Sequence, residues 1–293
     1  MKGAIWAFED GVCFTVDESG PEKHSPMAYR EPPENTMDNF LGRYFEPIGL
    51  PWGKKGSRHP IISNAKKQYI PYGEINEREG KKMKDTEEIG GKRSIPQLGL
   101  KDLDNTEIKK AMLRRFWRLL PDMRQKVCSR LATHDIQEDY MAMSVRRGDK
   151  KTEYAGASDN LSVQTYIDAA EKGIMTHFGG KDPVIFVATD DCSAVGELRA
   201  FRPEWRFISE CDRSKNTDSG FVLGDMVHWK LEETDSHYEK CFAELIGMAE
   251  AKYWFSLSFT NVSLWVYFMR SYEKFEDSWV YVDDLHATVI NYK

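Results

Sequence analysis

The second half of the chain predicts an α/β protein built on a doubly wound parallel sheet. Three observations carry that expectation. The run PVIFVA, Pro183 to Ala188, is apolar without alternation, as a strand buried on both faces requires. From residue 138 onward, short apolar segments alternate with amphipathic ones at strand–helix–strand spacing. The chain of 293 residues is 41% hydrophobic and 30% charged, a globular balance that supports a sizeable core.

The elements follow in order. Gly3 to Val16 alternates around Glu9-Asp10-Gly11, which predicts a hairpin. Residues 17–104 hold most of the twelve prolines and show no long helical period, and Lys81 to Arg93 reads as a mobile loop. Asn105-Thr106 offer a helix N-cap, with Ile108, Met112, Phe116 and Leu119 on one face; Pro121 opens a second helix to about His134. Tyr140 to Val145 is a strand and Val163 to Phe178 a helix. PVIFVA is the next strand, followed by a helix from about Cys192 to Ala200. A strand at Arg206 to Ser209 and a helix at Ser236 to Ala251 come next. The pattern closes with a strand at Tyr253 to Ser256 and a helix at Val262 to Arg270. Two domains are expected, residues 1–135 as an irregular α/β unit and residues 136–293 as a Rossmann-like one.

Composition excludes several classes. No run nears the ~18 apolar residues of a membrane span, and Met1 to Gly11 lacks the apolar core of a signal peptide. A cytoplasmic protein is expected. Cys13, Cys128, Cys192, Cys211 and Cys241 are scattered and form no CxxC pair, so reduced, mostly buried thiols are expected. Residues 51–133 carry 20 basic and 10 acidic side chains. They lack interleaved aromatics, zinc knuckles or a helix-turn-helix, so a nucleic-acid partner is not expected. GxGxxG, GxxxxGK[ST], GxSxG and HExxH are all absent, and the seven histidines are dispersed. Asp102-Leu103-Asp104 is formally a DxD, but it precedes a helix, where capping is the natural role for such aspartates.

In an open α/β sheet, ligands sit beyond the carboxyl ends of the strands. The residues there are Arg146-Arg147-Gly148-Asp149-Lys150, then Thr189-Asp190-Asp191, then Ser258-Phe259-Thr260-Asn261 at a helix start. Arginines match phosphate oxygens in bidentate fashion, and a helix N-terminus is a second anion cradle. A nucleoside-diphosphate ligand fits this set.

The stretch Ser144-Val145-Arg146-Arg147-Gly148-Asp149-Lys150 resembles the HxRR[TG]DK motif of the α1,6-fucosyltransferases, with protein O-fucosyltransferases as more distant relatives. In order along the chain, FWRLLPDMRQKV, Glu153, Tyr166, PVIFVATDD, WRFISE and AELIGMAEAKYWFSLSFTNVSLWVY are similar to further segments of that family, over roughly residues 113–270. The resemblance implies a GT-B-like architecture and an inverting, metal-independent transfer of L-fucose from GDP-fucose to a glycan hydroxyl, with no cofactor beyond the GDP-sugar. It implies that Arg146 holds the β-phosphate and that Lys150 supports the pyrophosphate or the acceptor. Glu153 would be the general base and Glu244 the reader of the guanine edge. Asp190 and Asp191 would hold the sugar or brace the arginines. Arg147, Ser258, Thr260 and Asn261 would complete the donor site. Residues 1–135 would serve the acceptor. Ser144 stands where the motif has histidine, one residue is missing between Lys150 and Glu153, and Glu244 replaces an aspartate. GDP-rhamnose or GDP-mannose therefore remain alternative donors, and a non-catalytic nucleotide-sugar or glycan-binding protein is a second reading.

Overall fold

The computed structural model describes residues 40–46, 92–96, 99–136, 139–147, 162–213, 226, 228–257, 260–270 and 279–281. The chain forms two compact units, Met1–Pro121 with Lys293, and Asp122–Tyr292.

In the first unit, helix α1 (Phe40–Tyr44) leads to Phe45, which bridges Leu119. Tyr44 and Phe45 are both buried, so these aromatics serve the core. Strands β1 (Arg93–Ile95) and β2 (Leu100–Leu103) form an antiparallel hairpin turned by Gly99 at a φ of 67°. Against it packs α2 (Asn105–Phe116), which buries Ile108 and Met112 on Ile95. The cap of α2 is Asp104 rather than Asn105 or Thr106. Its side chain accepts from the Glu107 N–H while the Glu107 carboxylate accepts from the Asp104 N–H. Asp102 sits in the left-handed region and accepts from the Ser94 hydroxyl. The formal DxD is thus a turn and a cap. The hairpin expected at Gly3 to Val16 lies outside the described residues.

The second unit is the doubly wound half. Strands β3 (Met141–Val145), β4 (Ile185–Thr189), β5 (Phe207–Ser209), β6 (Tyr253–Ser256) and β7 (Trp279–Tyr281) form one sheet in the order β5-β4-β3-β6-β7. Every pair is parallel, with Met141 beside both Ile185 and Tyr253. The strand order reverses between β3 and β6, which defines a topological switch point. β3, β4, β5 and β6 are buried throughout, as the unalternating sequence requires.

Helices α3 (Pro121–Ala132), α4 (Val163–His177), α5 (Ser193–Phe201), α6 (Leu231–Glu250) and α7 (Asn261–Met269) complete the unit. Met143, Val145, Val187 and Phe255 form a core with Tyr166, Ile167, Ala170, Val195 and Leu198 of α4 and α5. Each such aliphatic side chain contributes roughly 1.5–3 kcal/mol by leaving water. The alternate residues, Phe186 among them, face α6. A Cβ on Gly247 would stand 2.8 Å from the Phe186 ring, so a glycine is what lets α6 lie this close to β4. At the far end of α6, the fully buried Arg270 donates to the carbonyls of Met248, Ala249, Ala251 and Lys252. α6 has no basic residue in its own last turn, and Arg270 supplies the cation that its C-terminal dipole favours. Burial lowers the Arg270 guanidinium to about 10. Replacing Arg270 by Met keeps much of the stem but strands these carbonyls. Chemical denaturation is expected to show a loss of about 2–4 kcal/mol.

Candidate active site

All five strands run the same way, so β3, β4 and β6 open their carboxyl ends on a single edge. Beyond β3 comes Arg146, and beyond β4 come Asp190 and Asp191. Thr189 closes the turn: its hydroxyl donates to the Val145 carbonyl at 2.7 Å and accepts from the Asp191 N–H at 3.0 Å. Asp190 is then placed to use both carboxylate oxygens. Oδ2 lies 3.2 Å from the Arg146 guanidinium and Oδ1 accepts from the Arg147 N–H at 2.9 Å. Asp191, 1% exposed, accepts from the N–H and hydroxyl of Ser193 and so anchors the start of α5. Of the two roles expected for this acidic pair, the contacts seen are braces: Asp190 holds Arg146, and Asp191 holds the helix.

The two arginines diverge. Arg146 stays beside Asp190 with its side chain 19% exposed. Arg147 turns back and forms a bidentate pair with Glu197 of α5, at 2.7 and 2.9 Å. Burial alone would lower its pKa, but the bonds and charge of Glu197 hold it above the usual arginine value. Past β6, Thr260 caps α7, accepting from the Ser263 N–H at 3.1 Å and lying 2.6 Å from the Ser263 hydroxyl. Asn261 opens the helix. Ser144 is buried within β3, in register with Ala188. Tyr166 and Trp254 are core. Lys150, Glu153 and Ser258 lie outside the described residues.

The sequence pointed to Glu244 on α6 and passed over its neighbours. His237, Lys240, Cys241 and Glu244 share one face at helical spacing, and that face meets the end of β4. Glu244 Oε1 accepts from the Thr189 N–H at 3.4 Å, and Lys240 Nζ donates to the Thr189 carbonyl at 2.9 Å. Burial, with Lys240 and Arg146 nearby, lowers His237 to about 4 and keeps its imidazole neutral. Burial beside Glu244 pushes the Cys241 thiol up to about 12, so it stays protonated. Counting back from Glu244 by one and two helical turns would have found these residues.

Two further features flank the edge. Glu210, just after β5, has a fully buried side chain bonded to Arg130 Nε and His134 Nε2, each at 2.8 Å. Burial raises its pKa, but His134 and Arg130 outweigh that and hold it below the usual carboxylate value. The second feature corrects the expectation of reduced thiols: Cys192 and Cys211 form a disulfide. Parallel neighbours β4 and β5 bring the residues after them to a Cα separation of 5.5 Å, a proximity that a sequence separation of 19 does not reveal. Cys128 is exposed, which also departs from the expected burial.

In a doubly wound parallel sheet the crevice beyond the strand ends at the switch point is where a ligand docks, and Arg146 stands there. Among solved structures, the α1,6-fucosyltransferase NodZ co-crystallised with GDP matches with a TM-score of 0.51 and 13% identity, over 90% of this chain and 84% of that one. The fucosyltransferase NodZ from Bradyrhizobium matches with a TM-score of 0.50 and 12% identity, over 90% and 86% of the two chains. POFUT1 in complex with GDP gives 0.39 and 10% identity over 61% of this chain and 50% of its own. No protein-family model and no curated protein sequence matches the chain. The chain has the fucosyltransferase-like GT-B fold. Among the described residues, no helix is long and apolar enough to cross a membrane, and no three His, Cys, Asp or Glu side chains are grouped to hold a metal ion.

Two outcomes test this geometry. Glu210 is depressed in the folded state, so it stabilises above its unfolded value of 4.5 and loses that contribution as pH falls through its lower folded value. Arg130→Met should therefore reduce stability at neutral pH and move acid unfolding to higher pH, as followed by circular dichroism. Alkylation without reductant, read by mass spectrometry, should leave Cys192 and Cys211 unmodified, while reduction should lower stability by about 3 kcal/mol for a loop of this length. Modification of both would mean that the two thiols are free and the bridge does not form.

Proposed function

We propose that the protein is an inverting, metal-independent glycosyltransferase that moves L-fucose from GDP-fucose to a glycan hydroxyl. The observation that carries this reading is Arg146, held by Asp190 at the carboxyl end of the strand beside the switch point. The fold it shares with NodZ, a protein solved with GDP and GDP-fucose, supports the same reading.

In this proposal the pyrophosphate lies along the edge between Arg146 and the N-terminus of α7, where Thr260 and Asn261 begin the helix. Glu244 accepts from the guanine N1–H and N2–H2 groups. Arg147, committed to Glu197, acts at a distance by fixing the backbone around Arg146. Glu153 takes the proton of the acceptor hydroxyl as its oxygen attacks the anomeric carbon. The bond from that carbon to the β-phosphate oxygen breaks, its electron pair leaves with GDP, and the configuration inverts. Arg146, with Lys150 and Ser258 in support, supplies the counter-charge for the departing diphosphate. The unit that bears β1 and β2 serves the acceptor, and the unit that bears the parallel sheet, α3 included, the donor.

Calorimetric titration without metal, using GDP, UDP, ADP and GDP-fucose, tests the donor site. Micromolar binding confined to the guanosine ligands is expected, and no binding to any of them would end the proposal. Tighter binding of GDP-rhamnose or GDP-mannose than of GDP-fucose would move the donor assignment to that sugar, a shift that Ser144 in place of histidine makes worth measuring. Arg146→Ala should cut transfer by about 10²–10³-fold with the fold intact. Glu153→Gln should keep GDP affinity and lose about 10²–10⁴-fold in rate. A chelator should leave turnover unchanged, and an effect of chelation would contradict the metal-free mechanism.

A further inference from the structure

We propose that Lys240 is a positioning residue for the base end of the donor site. Its ammonium bridges the last carbonyl of β4 and the Glu244 carboxylate, and so favours the charged form of that carboxylate at the edge where a guanine would dock. The proposal rests on the reading of Glu244 given above.

The geometry is a closed ring of contacts. Lys240 Nζ lies 2.9 Å from the Thr189 carbonyl and 3.5 Å from Glu244 Oε1. The Thr189 N–H donates to the same Oε1 at 3.4 Å. One residue of β4 thus offers its carbonyl to the cation and its N–H to the anion, and α6 presents the two charges one turn apart. Among the described residues both contacts fall on Oε1, which leaves Oε2 to meet a ligand.

An exposed lysine in this arrangement would do little, because water screens a surface pair. Here the two side chains are 20% and 13% exposed, so the ammonium acts through a less polar medium. Burial raises the Glu244 pKa above the usual carboxylate value, while Lys240 and the Thr189 N–H oppose that rise. Other charged or titratable groups face this corner. Glu210, from the turn after β5, pushes Glu244 further up and is itself engaged by Arg130 and His134. Cys241 on α6 stays a neutral thiol, and Arg146, from the end of β3, acts on Cys241 and His237. Lys240 is the cation in direct contact with the carboxylate.

The chemistry makes the ionisation consequential. Guanine presents two N–H donors on this edge, and a protonated carboxyl would meet them with a donor of its own. Base affinity then depends on Glu244 being charged, and Lys240 sets the pH range over which it is.

The experiment is calorimetry of GDP binding to the intact protein from about pH 5.5 to about pH 8.5. Wild type should lose affinity toward the acid end. Lys240→Met should move that loss to higher pH, weakening GDP by about tenfold at the acid end for each unit moved, with recovery at the alkaline end. Lys240→Arg should keep the wild-type profile, and Glu244→Gln should flatten it. If Lys240→Met does not fold, Lys240→Gln carries the same comparison. A Lys240 variant that binds more weakly by the same factor at every pH, or whose profile does not move, overturns the positioning role while leaving the donor site standing. Wild type that fails to bind GDP overturns the donor reading and this proposal together.

Discussion

Five strands that all point one way must deliver every outgoing loop to one edge of the sheet, and the rest of the second unit is arranged around that constraint. Converging carbonyls and loop ends leave unpaired polar groups that something has to satisfy. Thr189 begins the answer, since its hydroxyl ties the end of β4 to the end of β3. Asp190 continues it by spending one oxygen on a side-chain cation and the other on a main-chain N–H. Asp191 finishes it by fixing the next helix. Arg146 owes its direction to this sequence of local bonds, so its placement is a property of the turn and not of a long flexible side chain alone.

α6 is the second support. Its depth against β4 is set by the missing side chain at Gly247, and its C-terminus is closed by Arg270 from the end of α7. Once the helix is held at that depth, its spacing of residues decides the rest. The same turn-by-turn repeat that buries Tyr238 and Phe242 puts His237, Lys240, Cys241 and Glu244 at the sheet edge. The polar corner therefore depends on apolar contacts made by the neighbouring residues of the same helix.

The strands and helices of the second unit were legible because a parallel sheet buried on both faces leaves unbroken apolar runs, and crossover helices leave amphipathic ones. Tyr253 to Ser256 was read with its observed limits. α6 begins at Leu231 rather than Ser236 because its first turn is polar and is started by Glu233 folding back onto the Lys230 N–H. β7 of this unit went unread, as did β1 and β2 of the first, whose sequences RSI and LKDL mix polar and apolar residues over too few positions to show a period. At the site, strand-end logic found Arg146, Asp190 and Asp191. It gave no means of seeing that Arg147 would turn toward Glu197, since that partner lies 50 residues away. The Cys192–Cys211 bridge was hidden for the same reason: it depends on which strands become neighbours.

That bridge also bears on how the sheet ends. β5 is the outermost strand on its side in the order described, and it is three residues long. A strand so short turns one row of backbone groups away from the sheet, and side chains answer part of it: Arg199 donates to the Phe207 carbonyl and Asp212 accepts from the Ser209 N–H. Tying Cys211, two residues past β5, to Cys192, the residue before α5, keeps that strand beside β4 even when its few hydrogen bonds open. The edge is thus guarded in two ways, by side chains that take up its backbone groups and by a bond that a reductant can open.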